Sequence, residues 1–284
     1  MTTQRMHVLL VGGAGYVGSQ MGALLADQGA QLTTLDNLCG GHRDAVLHGR
    51  FIEGDLADLV LLSQVLVHGQ FDAVMHFASF IQVGESVRHP ARYYRNIMVN
   101  TLMVEQMLED FDHAYGLKSV SLRYFNAAGA DALGRLGERH DPETHLIPLV
   151  LQAASGRRPH IQVFGRDYDT PDGTCVRDYV HVEDLCAAHW LALRQLMDGG
   201  PSAAFNLGNG TGYSVQEVID TARAVTGRDI PLMEGARRPG DPARLVADSS
   251  QAREHLGWAP RYGALETIIS HAWQWERRMA GLGL

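Results

Sequence analysis

Lysine is almost missing from this chain of 284 residues: Lys118 stands alone, and arginine supplies the rest of the 24 basic side chains. Nine tyrosines are present, yet none is followed four positions later by a lysine. Four residues is the spacing that sets two side chains on one face of a helix. A tyrosine–lysine proton-transfer pair of that kind is therefore excluded. The 32 acidic residues give a formal net charge of −8 and a pI near 5.9. An acidic chain with no Lys/Arg block is a poor partner for nucleic acid. It points instead to small molecules held by a few placed arginines. Cysteine is scarce too. Cys39, Cys175 and Cys186 are scattered, with no CxxC, and read as free thiols in a reducing compartment; no metal site is expected. No apolar run nears the roughly eighteen residues of a membrane helix. The N-terminal apolar run His7–Val11 breaks into glycines too early for a signal peptide, so the cytoplasm is the expected location. No internal repeat or low-complexity segment is present.

What remains is ordinary globular composition, 45% hydrophobic and 20% charged, enough for one large or two modest domains. His7–Val11 is predicted as a strand, Ser19–Gln28 as a helix, Leu32–Leu35 as a second strand and Phe51–Ile52 as the start of a third, ending at Asp55. Leu56–Val67 has helical period, and Ala73–Phe77 is a fourth strand. Strand–helix alternation with unpatterned apolar strands predicts a parallel sheet covered on both faces. Pro90 opens a helical stretch that runs to Tyr115-Gly116, where glycine can stop it. Val120–Phe125 is a further strand. Beyond Asn126 come a helix near Ile147–Ala154, a strand His160–Phe164, a strand-to-helix unit from Asp178 to Met197, a strand Ala204–Leu207, and helices at Val215–Val225, Ser250–Leu256 and Leu265–Met279. Trp258 and Trp273 read as packing residues. His181, in an alternating strand, reads as a satisfied core histidine.

Gly12-x-x-Gly15-x-x-Gly18 lies between the first strand and its helix. Such glycines allow a tight turn and let backbone N–H groups approach a pyrophosphate at the helix N-terminus. Asp36 closes the second strand near the offset of about 20 residues expected for an acid on a ribose 2′-hydroxyl. A carboxylate there repels a 2′-phosphate, which favours NAD over NADP. The plainer alternative is a tight turn with Asp36 capping a loop.

Gly-Gly-Ala-Gly-Tyr16-Val17-Gly18-Ser, Leu35-Asp36-Asn37-Leu38, Glu53-Gly54-Asp55 and His76-Phe77-Ala78 resemble an extended short-chain dehydrogenase/reductase. Gly84-Glu85-Ser86 beside Tyr93-Tyr94-x-Asn96 narrows the resemblance, as do Leu122-Arg123-Tyr124-Phe125-Asn126, Asp172-Gly173-Thr174-Cys-Val-Arg177-Asp178-Tyr179-Val-His181 and Arg237-Arg238-Pro-Gly240-Asp241. Across almost the whole chain these are similar to the UDP-glucose 4-epimerase family. The resemblance implies a doubly wound parallel (Rossmann) sheet with a smaller C-terminal α+β substrate domain. Residues 1–125 would bind NAD and residues 126–284 a UDP-sugar, with a segment near 174–209 packing back on the Rossmann sheet. It implies an isomerase that interconverts UDP-glucose and UDP-galactose through a 4-keto sugar; another nucleotide-sugar epimerase or a dehydratase is the neighbouring reading. Implied NAD contacts are Gly12, Gly15, Tyr16, Val17, Gly18, Asp36, Asn37, Cys39, Gly40, Gly41, Asp55, Leu56, Phe77, Ala78, Ser79, Ile81, Asn96 and Tyr124. Implied UDP-sugar contacts are Asn126, His145, Leu146, Gln162, Phe164, Arg177, Tyr179, Arg238 and Asp241. Asn126 also suits a strand-end turn, and Arg238 with Asp241 suits a loop salt bridge. Leu245 stands where relatives vary a gating side chain. A homodimer is the family's common assembly.

In the family, a Ser-Ser/Thr strand and a Tyr-x-x-x-Lys helix separate the Tyr-Tyr-x-Asn helix from the Leu-Arg-Tyr-Phe-Asn strand. Here Val99-Asn100-Thr101 runs straight into Leu102-Met103-Val104. One central strand and the start of its helix are therefore missing at Thr101–Leu102, a unit of roughly thirty residues or more. Tyr115 and Lys118 are no substitute: their spacing is three, and Gly116 marks a helix end. The seam reflects an in-frame loss, a segment of the protein outside these residues, or a non-catalytic NAD- and UDP-sugar-binding relative.

Overall fold

The computed structural model describes residues 5–78 and 100–282, and these fall into two units, Met1–Ser119 and Val120–Leu284. In the first, β1 (His7–Val11) leads into α1 (Tyr16–Asp27), β2 (Gln31–Asp36), β3 (Arg50–Glu53), α2 (Leu59–Gly69), β4 (Ala73–His76) and α3 (Asn100–Tyr115). The sheet order is β3-β2-β1-β4, all parallel. Val8 aligns with Leu32 on one side and with Ala73 on the other. Val8, Leu9 and Leu10 are all but inaccessible to solvent, as expected of a central strand covered on both faces. Leu9, Val11, Leu35 and Val65 form one apolar cluster there. Asp58 caps α2, its Oδ1 accepting from the Leu61 amide at 3.0 Å. The α3 backbone passes through Thr101–Leu102 as continuous helix. The start of that helix near Pro90, and the expected contacts Ser79, Ile81 and Asn96, lie outside the described residues.

The second unit opens with β5 (Val120–Tyr124) and β6 (Asn126–Ala128), then α4 (Leu146–Ser155), β7 (Ile161–Phe164), β8 (Val176–Arg177), β9 (Tyr179–His181) and α5 (Val182–Met197). It continues through β10 (Ala203–Leu207), β11 (Tyr213–Ser214), α6 (Val215–Thr226), β12 (Leu232–Gly235), β13 (Arg244–Leu245), α7 (Ser250–Leu256) and α8 (Leu265–Met279). Helices α4, α6 and α8 bury Ile147, Val150, Leu151, Val218, Ile219, Ile268 and Ile269 against one another. Burial of such side chains contributes roughly 1.5–3 kcal/mol each. A second core gathers Leu185, Ala188, Phe205, Leu207 and Trp258 under β5 and β10. The start of α6 is fixed by a capping box: Ser214 Oγ accepts from the Glu217 amide at 3.0 Å, and Glu217 Oε2 accepts from the Ser214 amide at 2.7 Å.

Among the described residues, β4 pairs only with β1, and β5 pairs in parallel with β10. β5 and β10 run in register with Val120 opposite Ala203 and Tyr124 opposite Leu207.

Candidate functional site

The first unit carries its candidate site where β1 and β2 end. Gly12 has φ +75°, and a Cβ there would lie 2.5 Å from the Ala78 amide nitrogen; one on Gly18 would lie 2.4 Å from the Gly12 carbonyl oxygen. Both positions require glycine. Gly15 is different. It is the extended N-cap of α1 (φ −77°) with no side-chain cap and no acid in the first turn. A Cβ on Gly15 would meet only the Gly12 oxygen at 3.3 Å, and one on Gly40 would meet nothing within 4 Å. The chain itself does not require glycine at either place, so the open side at this positive helix end suits a phosphate group approaching the backbone.

Asp36 braces this loop. Its Oδ2 accepts from the Ala14 amide at 2.9 Å and its Oδ1 from the Leu38 amide at 2.8 Å. Each oxygen keeps a further lone pair for a hydroxyl. Leu38 sits at φ +59°, uncommon for a branched residue. Its neighbours hold it: the Cys39 amide donates to Asn37 Oδ1 at 3.0 Å, and Asn37 Nδ2 donates to Asp55 Oδ2 at 2.7 Å. The Ala57 amide and Asn37 together hold the exposed Asp55 carboxyl below its usual range. Asp36, Asn37, Cys39, Gly41 and Asp55 are thus brought together around the glycine loop, since the His42 amide also donates to the Ala14 carbonyl at 2.9 Å. A larger cleft of about 930 Å³ opens among His7, Gln31 and Arg50. These residues begin their strands, whereas nucleotides bind beyond strand C-termini in open α/β sheets.

The second unit gathers another set. Arg177 pairs with Asp241 through Nη2 and donates from Nη1 to the Val176 carbonyl at 2.7 Å. The Arg238 guanidinium lies 3.9 Å over the Phe164 ring, and Arg237 lies 3.9 Å over Tyr168. Arg238 and Asp241 share a backbone turn; the side chain of Asp241 goes to Arg177. The Tyr168 hydroxyl is buried without a hydrogen-bond partner, which leaves a polar atom unsatisfied beside two arginines. Burial, and then Asp241, push its pKa up. This forked, cationic, aromatic-lined cluster has the chemistry to hold a diphosphate and a planar base.

Other expected contacts are placed elsewhere in this unit. Asn126 Nδ2 donates to the Asp178 carbonyl at 2.8 Å, tying β6 to β9. Gln162 is exposed on β7, opposite Met233 of β12. Tyr179 is buried in the helical core, and burial raises its pKa. Tyr124 lies edge-on to His189 and is pushed up to about 12 by burial, with Cys186 adding to it. These shifts disfavour a phenolate at neutral pH. Lys118 Nζ is held 2.5 Å from Asp112, and Gly116 ends α3 at φ +71°, so Tyr115 and Lys118 form no catalytic pair. His181 is the expected core histidine: its Nδ1 accepts from the Glu183 amide at 3.1 Å and its Nε2 lies 3.0 Å from His271 Nδ1. Trp258 is buried and donates from Nε1 to the Asp184 carbonyl at 2.8 Å.

One group escaped the sequence reading. Glu138, His140, Glu143 and His145 converge just before α4, with their ligand atoms within 4.8 Å of one another. Burial would lower both imidazoles, but the adjacent Glu138 and Glu143 carboxylates outweigh it and raise His140 to about 9 and His145 to about 10. Burial would raise Glu143, but the two neighbouring imidazoles and the His145 amide bring it down to about 2. The signal was the alternation Glu-x-His-x-x-Glu-x-His, masked by the lack of cysteine.

The fold agrees with known proteins. The chain matches the NAD dependent epimerase/dehydratase family over residues 8–104 and again over 98–208. It is 43% identical to a UDP-glucose 4-epimerase of Halalkalibacterium halodurans, covering 96% of each chain. It is similar to the crystal structure of UDP-glucose 4-epimerase from Brucella ovis in complex with NAD (TM-score 0.89, 43% identity, 94% of this chain and 97% of that one). It is also similar to that from Bifidobacterium longum in complex with NAD+ and UDP (TM-score 0.88, 30% identity, 96% and 98%). The chain belongs to the NAD dependent epimerase/dehydratase family, and the relatives it matches across its length are UDP-glucose 4-epimerases. The two family matches meet at the seam. The alignment to the H. halodurans relative runs over 320 residues, more than the 284 of this chain, so that relative has residues where this chain has none.

Proposed function

We propose that this chain carries the NAD and UDP-hexose sites of an isomerase that interconverts UDP-glucose and UDP-galactose through a 4-keto sugar. The observation that supports it best is the Arg177–Asp241 and Arg238–Phe164 cluster in a chain whose other unit has an open glycine loop braced by Asp36. Residues 1–125 act as the cofactor domain and 126–284 as the sugar-nucleotide domain. In the first, the α1 N-terminus faces the pyrophosphate, Asp36 takes ribose hydroxyls and the Asp55 region borders the adenine. Bound NAD supplies the hydride acceptor and donor. In the second, Arg177 and Arg238 hold the substrate diphosphate, Phe164 and Gln162 flank the uracil, and Asp241 takes ribose hydroxyls. His145, Leu146, Tyr179 and Asn126 complete the sugar-nucleotide contacts. The site works in the cytoplasm, in a homodimer.

Proton removal from the sugar 4-hydroxyl needs a base, and the missing Tyr-x-x-x-Lys leaves none of that kind. This favours a second reading, in which a chain of these 284 residues holds NAD and UDP-sugar without turnover. Intact mass combined with a UDP-galactose turnover assay separates the two. A mass well above 31.1 kDa with turnover means the protein has a segment between Thr101 and Leu102. A mass of 31.1 kDa with NAD binding and no turnover leaves the binding protein. A 4-keto product without the epimer identifies a dehydratase and overturns the first reading.

A further inference from the structure

The Glu138, His140, Glu143 and His145 cluster presents two imidazole Nδ1 atoms and two carboxylates to one point. His140 Nδ1 lies 3.1 Å from Glu138 Oε1 and 3.7 Å from Glu143 Oε2; His145 Nδ1 lies 2.8 Å from Glu138 Oε1 and 3.2 Å from Glu143 Oε1. Ligands of a tetrahedral zinc ion sit about 3.3–3.6 Å apart, given metal–ligand bonds of about 2.0–2.2 Å. The observed separations straddle that range. One of them, 3.7 Å, is too long for a hydrogen bond and ordinary for two ligands of one ion. Each Nδ1 has one proton to give yet faces two carboxylates, whereas a central cation serves all four donors at once.

The ligands are braced from behind, as metal ligands are. Glu143 Oε1 accepts from the Thr144 and His145 amides at 2.7 and 2.8 Å. Trp275 Nε1 donates to the Glu138 carbonyl at 2.9 Å. All four residues are partly buried, and a cavity of about 50 Å³ lined by Glu138, His140, Glu143, Trp275 and Glu276 opens beside them.

We propose that these four residues bind one divalent transition-metal ion, zinc by the chemistry of its donors. Mixed imidazole and carboxylate donors favour zinc over calcium or magnesium, which prefer all-oxygen sites. Four protein ligands leave no open position, so the ion is structural. It pins the segment 138–145 onto the start of α4, whose N-cap is His145. The site shares His145 with the proposed sugar-nucleotide contacts, so its test reads metal content rather than turnover and fails or succeeds independently of the epimerase reading.

The test is metal content. The chain is purified without a polyhistidine tag, dialysed against metal-free buffer and assayed by inductively coupled plasma mass spectrometry. About one zinc per chain is expected, the retention shown by structural sites. Glu138→Gln and His140→Asn drop it to background, and His113→Asn, on exposed α3, leaves it unchanged. Full zinc in both cluster variants, or none in the wild type, overturns the site. Cobalt titrated into the metal-free wild-type chain supplies a readout that needs no variant to fold. Intense visible bands of four-coordinate cobalt support the proposal, and the pale spectrum of six-coordinate cobalt refutes it.

Discussion

The two units close their cores to different degrees. In the second, α4, α6 and α8 bury their apolar faces against one another, and Trp258 is sealed under α5 and α7. In the first, the sheet is buried on β1 and β2, but α2 shows Leu59, Val60, Leu66 and Val67 to solvent, β4 shows Val74, and α3 shows Met103, Val104, Met107 and Phe111. Met103, Val104, Met107 and Phe111 lie on α3, the helix that carries the seam. A sheet that loses a central strand loses both the hydrogen bonds along one edge and the helix that covers its face. The difference teaches that the cofactor loop keeps its bracing without the missing strand-and-helix unit, because it is held by β1, α1, β2 and the residues that follow β3 and β4.

The strongest way to test this contrast is to restore what is missing. A strand–helix segment bearing Tyr-x-x-x-Lys, taken from a relative and inserted between Thr101 and Leu102, is expected to raise UDP-galactose turnover by a factor of about 10²–10⁴, the usual yield of a placed general base. A coupled assay reads it, and the same insertion should slow hydrogen exchange in β4 and α3. If exchange there is already as slow as in β9 and α5, the contrast is broken.

A pair of truncations comes next. Trp258→Ala should cost about 3–5 kcal/mol in urea unfolding of the second unit, whereas Leu59→Ala, on a side chain 73% exposed, should stay within about 0.5 kcal/mol. Equal costs would show that α2 is covered in solution.

Acidity acts on the second unit in two directions. Burial, and then His271, hold His181 down at about 3, below its ordinary 6.5. Between those values the unfolded chain binds more protons, so stability falls as pH drops from about 6.5 toward 3. In the metal-free protein, His140 and His145 are raised to about 9 and 10. Their contribution is complete below about 6.5 and is lost as pH climbs through 9 to 10. Unfolding midpoints across pH should peak near 6.5, where these limbs meet, and His181→Gln should flatten the acid limb alone.

The smallest effect is Ser214→Ala, which removes one half of the capping box at α6 and should cost about 1 kcal/mol. Glu217→Ala removes the other half, and a cycle of both variants reads their coupling.

Much of this was legible in the chain. Apolar runs ending in glycine or aspartate marked β1, β2 and β3, and helical period marked α4, α6 and α8 to within a residue or two. The two-residue strands β8, β11 and β13 left no trace, since alternation needs more residues to register. β12 was hidden because Leu232-Met233-Glu234-Gly235 lacks branched residues. The seam was legible because flanking motifs meet at one point. The pairing of β5 with β10 was not, because pairing is a choice among edges that no local pattern records. The zinc cluster was missed for a chemical reason: cysteine count is a poor guide to a site built from imidazole and carboxylate.

The three cysteines grade the molecule by depth. Cys39 is exposed on the loop after β2, Cys175 is half-buried with its thiol pushed up by burial, and Cys186 is buried in α5 with its thiol pushed up further. Since the thiolate is the reactive form, a brief alkylation pulse labels Cys39 in the native fold and Cys186 only when the second unit opens. One mass spectrum then reports ligand occupancy at the glycine loop and the integrity of the distant core, as two separate peaks from a single sample.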